Sequence, residues 1–252
     1  MIGVSSTEFS AYQVEEVLEE VSKVFKHWEI FAEAEHNLNA ITSRLATIKD
    51  SYKMTFSIHA PICDINIASL NERMREASTL ETITMMEYAA NLNMKTITIH
   101  PGLYSMAVPY QEDKSVVSAK KSLRMLDRIS NEYGITIAVE NMPEFPFALG
   151  RTAEEIKDLL DGTNLKVCFD IGHANTTDQI DTIIESLSDR FANVHIHDNM
   201  GENDEHRTVG NGNIDFKKAL MKFPKYNGNL IIEAKSFQSA VESKEKLEKM
   251  FS

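Results

Sequence analysis

Cysteine, cationic charge and long apolar runs are all scarce in this 252-residue chain, and each scarcity removes a class of protein. Its two cysteines, Cys63 and Cys168, cannot build a disulfide framework. Both fall in or near expected buried strands, so a reducing cytoplasm is the expected compartment. Lysine and arginine number 26 against 38 acidic residues, a formal net charge of −12. That balance disfavours non-specific attraction to phosphate backbones or anionic membranes, although a local basic groove is compatible with an acidic protein. No apolar run approaches the roughly 18 to 20 residues that span a bilayer. The opening residues, MIGVSSTEFS, lack a basic stretch followed by an apolar core, so no secretory leader is expected. Glycine and proline are few, at 10 and 6, and no linker or low-complexity segment interrupts the chain. One domain with one large core is expected, and about 250 residues is the usual size of a (β/α)₈ barrel.

What the chain does contain is a regular alternation. Short β-rich runs occur at IGVS (2–5), WEIFAE (28–33), TFSIHA (55–60), TITIHP (96–101), ITIAVEN (135–141), LKVCFD (165–170), ANVHIHD (192–198) and NLIIEA (229–234). Helical patterns such as VEEVLEEVSKVFKH, RMREASTLETITMMEYAANLN, VVSAKKSLRMLDRISNEYG and TAEEIKDLLDG lie between them. Gly134 and Gly162 are expected helix C-caps, and Thr152 with Glu155 forms a capping-box pattern. Runs rich in Val and Ile without polar alternation suit strands covered on both faces, as in a parallel sheet. The expected fold is therefore α/β, a single (β/α)₈ TIM barrel. A doubly wound open sheet is the alternative, but no glycine-rich dinucleotide loop follows the first strand.

The strands end in polar residues. Strand 3 closes on His59, strand 4 on His100, strand 5 on Glu140, strand 6 on Asp170, strand 7 on His195 and strand 8 on Glu233. These are C-terminal ends, the rim on which TIM barrels build their sites. Six of the eight histidines (His59, His100, His173, His195, His197 and His206) sit at these ends or in the loops just after them. A lone histidine or glutamate at a strand end more often bonds a neighbouring loop than takes part in chemistry. Several carboxylates and imidazoles converging on one rim, however, need protons or cations between them. Mixed His/Asp/Glu shells suit zinc, manganese or similar divalent ions. Glu33 and Glu35 read as loop carboxylates, Glu33 with a possible reach to the pocket mouth. His27 and His36 read as surface residues. The Met-rich TITMMEYAANLNM is read as core, and VESKEKLEKMF as a solvent-facing closing helix. Gly102 and Gly172 are expected to serve tight turns below the site.

In the order SIHAP, IHPG, VEN, CFDIGHA, HIHDN, DEHRTVGNGNID and IIEA, these motifs resemble the xylose isomerase-like TIM-barrel superfamily. That superfamily holds sugar and sugar-phosphate isomerases and epimerases together with endonuclease IV. The resemblance runs from residue 55 to residue 234 and continues more loosely towards the N-terminus. In the epimerase branch it implies one divalent metal (Zn, Mn, Mg or Co) held by Glu140, Asp170, His195 and Glu233. There Glu140 and Glu233 also act as acid and base on opposite faces of the substrate, and His173 contacts it. In the endonuclease IV branch it implies up to three zinc ions. His59, His100 and Glu140 would hold the first. Glu140, Asp170, His195 and Glu233 would hold the second, and His173, Asp204 and His206 the third. Three ions around a phosphate oxygen would supply hydroxide and stabilise an in-line transition state. All nine positions carry the implied residue types. The departures lie elsewhere: the basic, DNA-inserting loop after strand 2 is replaced by AEAEHNLNA, and the aromatic residue after the strand 3 motif by Ile62. Backbone binding needs Lys and Arg, and stacking needs aromatic rings. A small sugar or sugar phosphate is therefore the expected substrate, with DNA disfavoured. His197, Asp198 and Arg207 are substrate-contacting or supporting candidates, and a homo-oligomer is left open.

Overall fold

The strand HWEIF, residues 27–31, explains how the barrel is arranged. In extended backbone successive side chains face opposite sides, so His27, Glu29 and Phe31 share one face while Trp28 and Ile30 share the other. The computed structural model, which describes residues 1–223 and 225–251, confirms which face is which. The Glu29 carboxylate bonds Thr98 and Asn193, residues of strands that do not neighbour its own. Only the lumen of a closed barrel allows that.

Eight parallel strands close in chain order: β1 (Ile2–Ser5), β2 (His27–Phe31), β3 (Thr55–His59), β4 (Thr96–Ile99), β5 (Thr136–Glu140), β6 (Lys166–Asp170), β7 (Phe191–Ile196) and β8 (Asn229–Glu233). Closure is made by β1 and β8, with Ser5 beside Glu233. The register places Glu29 beside Ser57 and Phe31 beside His59, and Asp170 beside His195. β2, β4 and β7 each stop two residues short of the run read from the sequence, so His100 and His197 stand in the loops just past their strands.

Branched apolar residues usually fill a TIM-barrel lumen. Here Glu29, Ser57, Thr98 and Asn193 are joined there by hydrogen bonds. The apolar core lies instead between the outward strand faces and the helices. Trp28, Ile30, Ile58, Ile97, Val167, Phe169, Val194 and Ile196 are all fully buried within it. The helices are α1 (Val14–Val24), α2 (Leu38–Ile48), α3 (Glu72–Asn91), α4 (Glu112–Tyr133), α5 (Ala153–Leu159), α6 (Ile171–Thr176), α7 (Ile180–Leu187), α8 (Phe216–Met221) and α9 (Phe237–Phe251). Met85, Met86 and Met94 are buried, as expected of the Met-rich stretch.

Local signals behave as their chemistry requires. Gly134 closes α4 in the left-handed conformation, which a residue without Cβ adopts freely. Gly162 instead falls two residues beyond Leu160, the residue that caps α5. Thr152 caps α5 by accepting the Glu155 amide, while the Glu155 carboxylate reaches back to the Arg151 amide. Two surface readings are corrected. His36 is fully buried with its ring 5.4 Å from Trp28. His27 is buried in the lumen between Thr55 and Ser57. Burial lowers the pKa of each to about 4, so both rings are neutral. Cys63 is exposed rather than buried, whereas Cys168 is buried in β6; both are free thiols. No helix among the described residues is long and apolar enough to cross a membrane.

Phe169 stacks on Phe191 at 4.7 Å and meets Phe223 edge-on at 6.1 Å. Truncation to alanine removes these contacts from a fully buried position, so Phe169→Ala should lower the unfolding free energy by about 3–5 kcal/mol. Urea denaturation would read this as a lower midpoint at unchanged slope.

Candidate metal and catalytic site

Glu140, the last residue of β5, stands at the centre of the rim. It is 1% exposed, and its Oε2 lies 3.3 Å from Nε2 of His59 and 3.1 Å from Nε2 of His100. Its Oε1 lies 2.9 Å from Nδ1 of His195. The same Nδ1 is 3.2 Å from Oε1 of Glu233 and 3.8 Å from Oδ2 of Asp170. Beyond Asp170, His173 Nε2 approaches Asp204 Oδ2 at 3.4 Å, and His206 Nε2 approaches the same oxygen at 3.2 Å. All nine of the metal-ligand candidates therefore meet at one rim.

They divide into sets whose donor atoms lie within 4.8 Å of one another: His59, His100 and Glu140; Glu140, Asp170, His195 and Glu233; and His173, His197, Asp204 and His206. The third set contains His197 in addition to the three residues expected. A further grouping, Glu140, Cys168 and His195, places the Cys168 thiol just beneath the centre.

Hydrogen bonds aim the rings. His59 Nδ1 lies 2.9 Å from the Ala60 carbonyl, and His173 Nδ1 lies 2.8 Å from the Asn141 carbonyl. In each case an N–H on that side is satisfied by a fixed acceptor, leaving the other nitrogen for the cluster. Asp170 is placed just as firmly. The Asn141 side chain pairs with its backbone in both directions, at 2.9 and 2.8 Å. Its Oδ1 accepts the His173 amide at 2.7 Å, capping α6. Asp170 Oδ2 is buried with no hydrogen-bond partner. A carboxylate oxygen in that state costs folding free energy unless a cation meets it. Imidazole nitrogens and carboxylate oxygens, aimed at a common point with one oxygen orphaned, are the donor set a divalent ion requires.

Electrostatics lead to the same reading. Burial opposes ionisation of Glu140, but the imidazoles of His195, His100 and His59 outweigh it and hold its pKa well below the usual range. Asp170 is likewise buried, yet His173 and His197 hold it down to about 2. Burial pulls His173 and His195 towards neutrality, and surrounding anions carry both well above the usual histidine value. In the absence of a cation, protons on the rings compensate the carboxylates.

The rim opens into a cavity of about 220 Å³ lined by Glu140, Glu233, His59, His100, His173, Asp204 and His206 together with Ser5, Phe31 and Lys235. Asp170 and His195 are fully buried and do not line it. His197 is also buried, its ring stacked 3.9 Å from that of His206 and its Nε2 3.1 Å from Asp170 Oδ1 and 3.4 Å from Asp204 Oδ1. Gly172 makes room for that ring, since a Cβ there would lie 2.1 Å from His197 Cε1. Its role is thus close packing within α6 rather than a turn, whereas Gly102 has the positive φ of a turn.

Other expected residues turn away from the cavity. Asp198 accepts amides from Asn199, Gly210, Gly212 and Ile214, organising the loop after β7. Arg207 pairs with Glu205 at 2.6 Å on the surface. Glu33 accepts the Ile62 and Cys63 amides, and Glu35 accepts from Gln13, so both tie loops down. Glu29 is not among the residues that the sequence pattern singles out. It is fully buried, with Oε1 2.7 Å from Nε2 of His195. A carboxylate in the middle of the run WEIF, in step with Phe31, is the signal that could have found it.

The family model described as "Xylose isomerase-like TIM barrel" matches residues 18–251. The chain belongs to this family. Among curated relatives, MJ1311 of Methanocaldococcus jannaschii is 35% identical over 96% of this xylose isomerase-like chain and 86% of its own. A Staphylococcus carnosus protein described as "Probable endonuclease 4" is 28% identical, over 63% of this chain and 58% of its own. A crystal structure described as a "D-tagatose 3-epimerase-like protein" superposes with a TM-score of 0.93, at 32% identity, covering 100% of this chain and 97% of that one.

The raised histidine pKa values set a pH dependence. A histidine whose folded pKa exceeds its unfolded value of about 6.5 stabilises fully below that value, and the contribution is lost as pH rises through the folded pKa. Metal-free protein should therefore melt at a lower temperature at pH 9 than at pH 6.5. Saturating Zn²⁺, which takes deprotonated rings, should raise the melting temperature more at the higher pH. Calorimetric scans with and without chelator across this range would check both trends.

Proposed function

We propose that this family member is a divalent-metal-dependent isomerase or epimerase acting on a small sugar or sugar phosphate. The observation that carries this reading is the pairing of Glu140 and Glu233. Both line the cavity, and both approach Nδ1 of His195, at 2.9 and 3.2 Å. Glu140, Asp170, His195 and Glu233 would hold the ion, which when bound polarises the substrate's carbonyl and adjacent hydroxyl oxygens. One glutamate takes the proton from the carbon next to the carbonyl, and the other returns a proton to the opposite face. The pair begins and ends with one proton between them, and solvent resets it through Glu233, the more exposed of the two. His173, held by Asn141, lines the cavity where it can orient a substrate hydroxyl. The lining includes two serines and a threonine (Ser5, Ser6 and Thr7), which suits a polyhydroxy ligand. The solved structure described as epimerase-like supports this reading by its close superposition.

A second reading, phosphodiester hydrolysis of the endonuclease IV kind, is favoured by the three donor sets and the partial match to an endonuclease 4. The rim speaks against a DNA substrate. Among the described residues lining the cavity, Lys235 is the single lysine or arginine, and the loop after β2 is folded down by Glu33, Glu35 and buried His36. Neutralising a phosphate backbone requires several cations.

Two measurements test these readings. Glu140→Gln and Glu233→Gln should each slow exchange of a substrate C–H proton with deuterated solvent by at least ~100-fold, read by NMR; a Glu140→Gln protein retaining the exchange would refute the assignment. Stoichiometric protein with Zn²⁺ or Mn²⁺ should leave an abasic-site duplex uncut. Strand cleavage there, together with about three tightly bound zinc ions per chain, would establish the hydrolase instead.

A further inference from the structure

A directional hydrogen-bond chain runs up the barrel lumen and ends on a metal-ligand candidate. His27, kept neutral, has Nδ1 2.9 Å from Thr55 Oγ1 and Nε2 2.9 Å from Ser57 Oγ. Ser57 donates its hydroxyl to Glu29 Oε2 at 2.8 Å, so its oxygen receives the His27 Nε2–H. Thr98 donates to the same Glu29 oxygen at 3.2 Å, and the Asn193 amide does so at 2.7 Å. Three donors from β3, β4 and β7 thus saturate Oε2 and lock the carboxylate plane. Oε1 is left for one partner, His195 Nε2, at 2.7 Å.

We infer that Glu29 is a positioning residue: it fixes His195 as the Nε2–H tautomer, so that Nδ1 presents its lone pair to an ion shared with Glu140, Asp170 and Glu233. This rests on the reading that those four residues hold an ion. The comparison with the neighbouring rings makes the case. His59 and His173 lean on backbone carbonyls, whereas His195 alone of the three leans on a buried carboxylate with no role in lining the cavity. A carboxylate acceptor makes a stronger hydrogen bond than a carbonyl and increases the basicity of the ring's other nitrogen. Nothing else explains a carboxylate at this place. An apolar residue would fill the lumen without the desolvation of a charge, and Ser57, Thr98 and Asn193 could bond one another or water.

The test uses full-length protein, stripped of metal and titrated with Zn²⁺ against a competing chelator, with ¹⁵N-histidine labelling to read ring protonation by NMR. In wild type, zinc should bind with His195 protonated at Nε2. Glu29→Gln should weaken this ion 10- to 100-fold and shift or broaden the His195 Nε2–H signal. Zinc bound by the set containing His173, Asp204 and His206 should be unaffected. Ser57→Ala, which removes one of three donors to Glu29 and keeps its charge, should weaken the same ion by less. It serves as the deciding variant should Glu29→Gln not fold. Leu45→Ala, a fully buried change in α2, should destabilise the fold with no change in zinc affinity, separating positioning from general stability. Equal affinity and equal spectra in wild type and Glu29→Gln, or an unchanged affinity in Ser57→Ala where that variant decides, would overturn the inference alone. A wild-type protein that binds zinc without protecting His195 would overturn the ion site on which it rests.

Discussion

Carboxylates buried side by side govern this structure. Glu29, Glu140 and Asp170 are each exposed by 1% or less, and three anions at such proximity would repel one another severely in a medium that screens poorly. The barrel topology makes their meeting unavoidable, because parallel strands send all eight C-terminal ends to one rim and turn alternate side chains such as Glu29 into the lumen beneath it. Compensation is therefore built in, by imidazoles at the rim and by hydroxyl and amide donors deeper in the lumen. The polar lumen has a structural consequence. Apolar packing is displaced to the layer between strands and helices, where Trp28, Phe169 and the Ile/Val faces lie, so the site and the stabilising core occupy opposite sides of the same strands.

The architecture and most of the rim were legible in the amino-acid order for a simple reason. Strands covered on both faces are written as unbroken Ile/Val runs, and a polar residue closing such a run has to sit at an end. His59, Glu140, Asp170, His195 and Glu233 announce themselves in this way. Residues inside a run do not. Glu29 is hidden because its neighbours Trp28 and Ile30 face outward and make the segment look uniformly apolar; only the lumen, which requires the closed barrel, reveals what it touches. His27 and His36 read as surface residues because nothing local marks them as buried, while one ring packs in the lumen between Thr55 and Ser57 and the other against Trp28. Asp198 was legible as a strand-end carboxylate but not in its task, which is to gather four amides of a glycine-containing loop.

The donor sets of this xylose isomerase-like barrel explain why its rim can be read in two chemical ways. Stabilising a developing enediolate calls for one cation and stabilising a transferring phosphoryl group for one or more, and the same carboxylates and imidazoles could serve either. What separates them is the surroundings of the rim. A polynucleotide needs a cationic approach, and here the approach carries glutamates and tied-down loops. The DEH loop adds a local constraint of its own. His206 sits at a positive φ of 45°, held there by the two-way backbone pairing of Asp198 with Arg207. Such a conformation persists in a non-glycine residue only when its surroundings enforce it.

Glu140 belongs both to the set with His59 and His100 and to the set with Asp170, His195 and Glu233. A ligand held in common makes the two sets thermodynamically inseparable: filling one changes the charge and the orientation offered to the other. By reciprocity, whatever the second occupant does to the first, the first does equally to the second. Ions placed in both sets would therefore bind as a coupled pair, cooperative or anticooperative, through the one carboxylate they share.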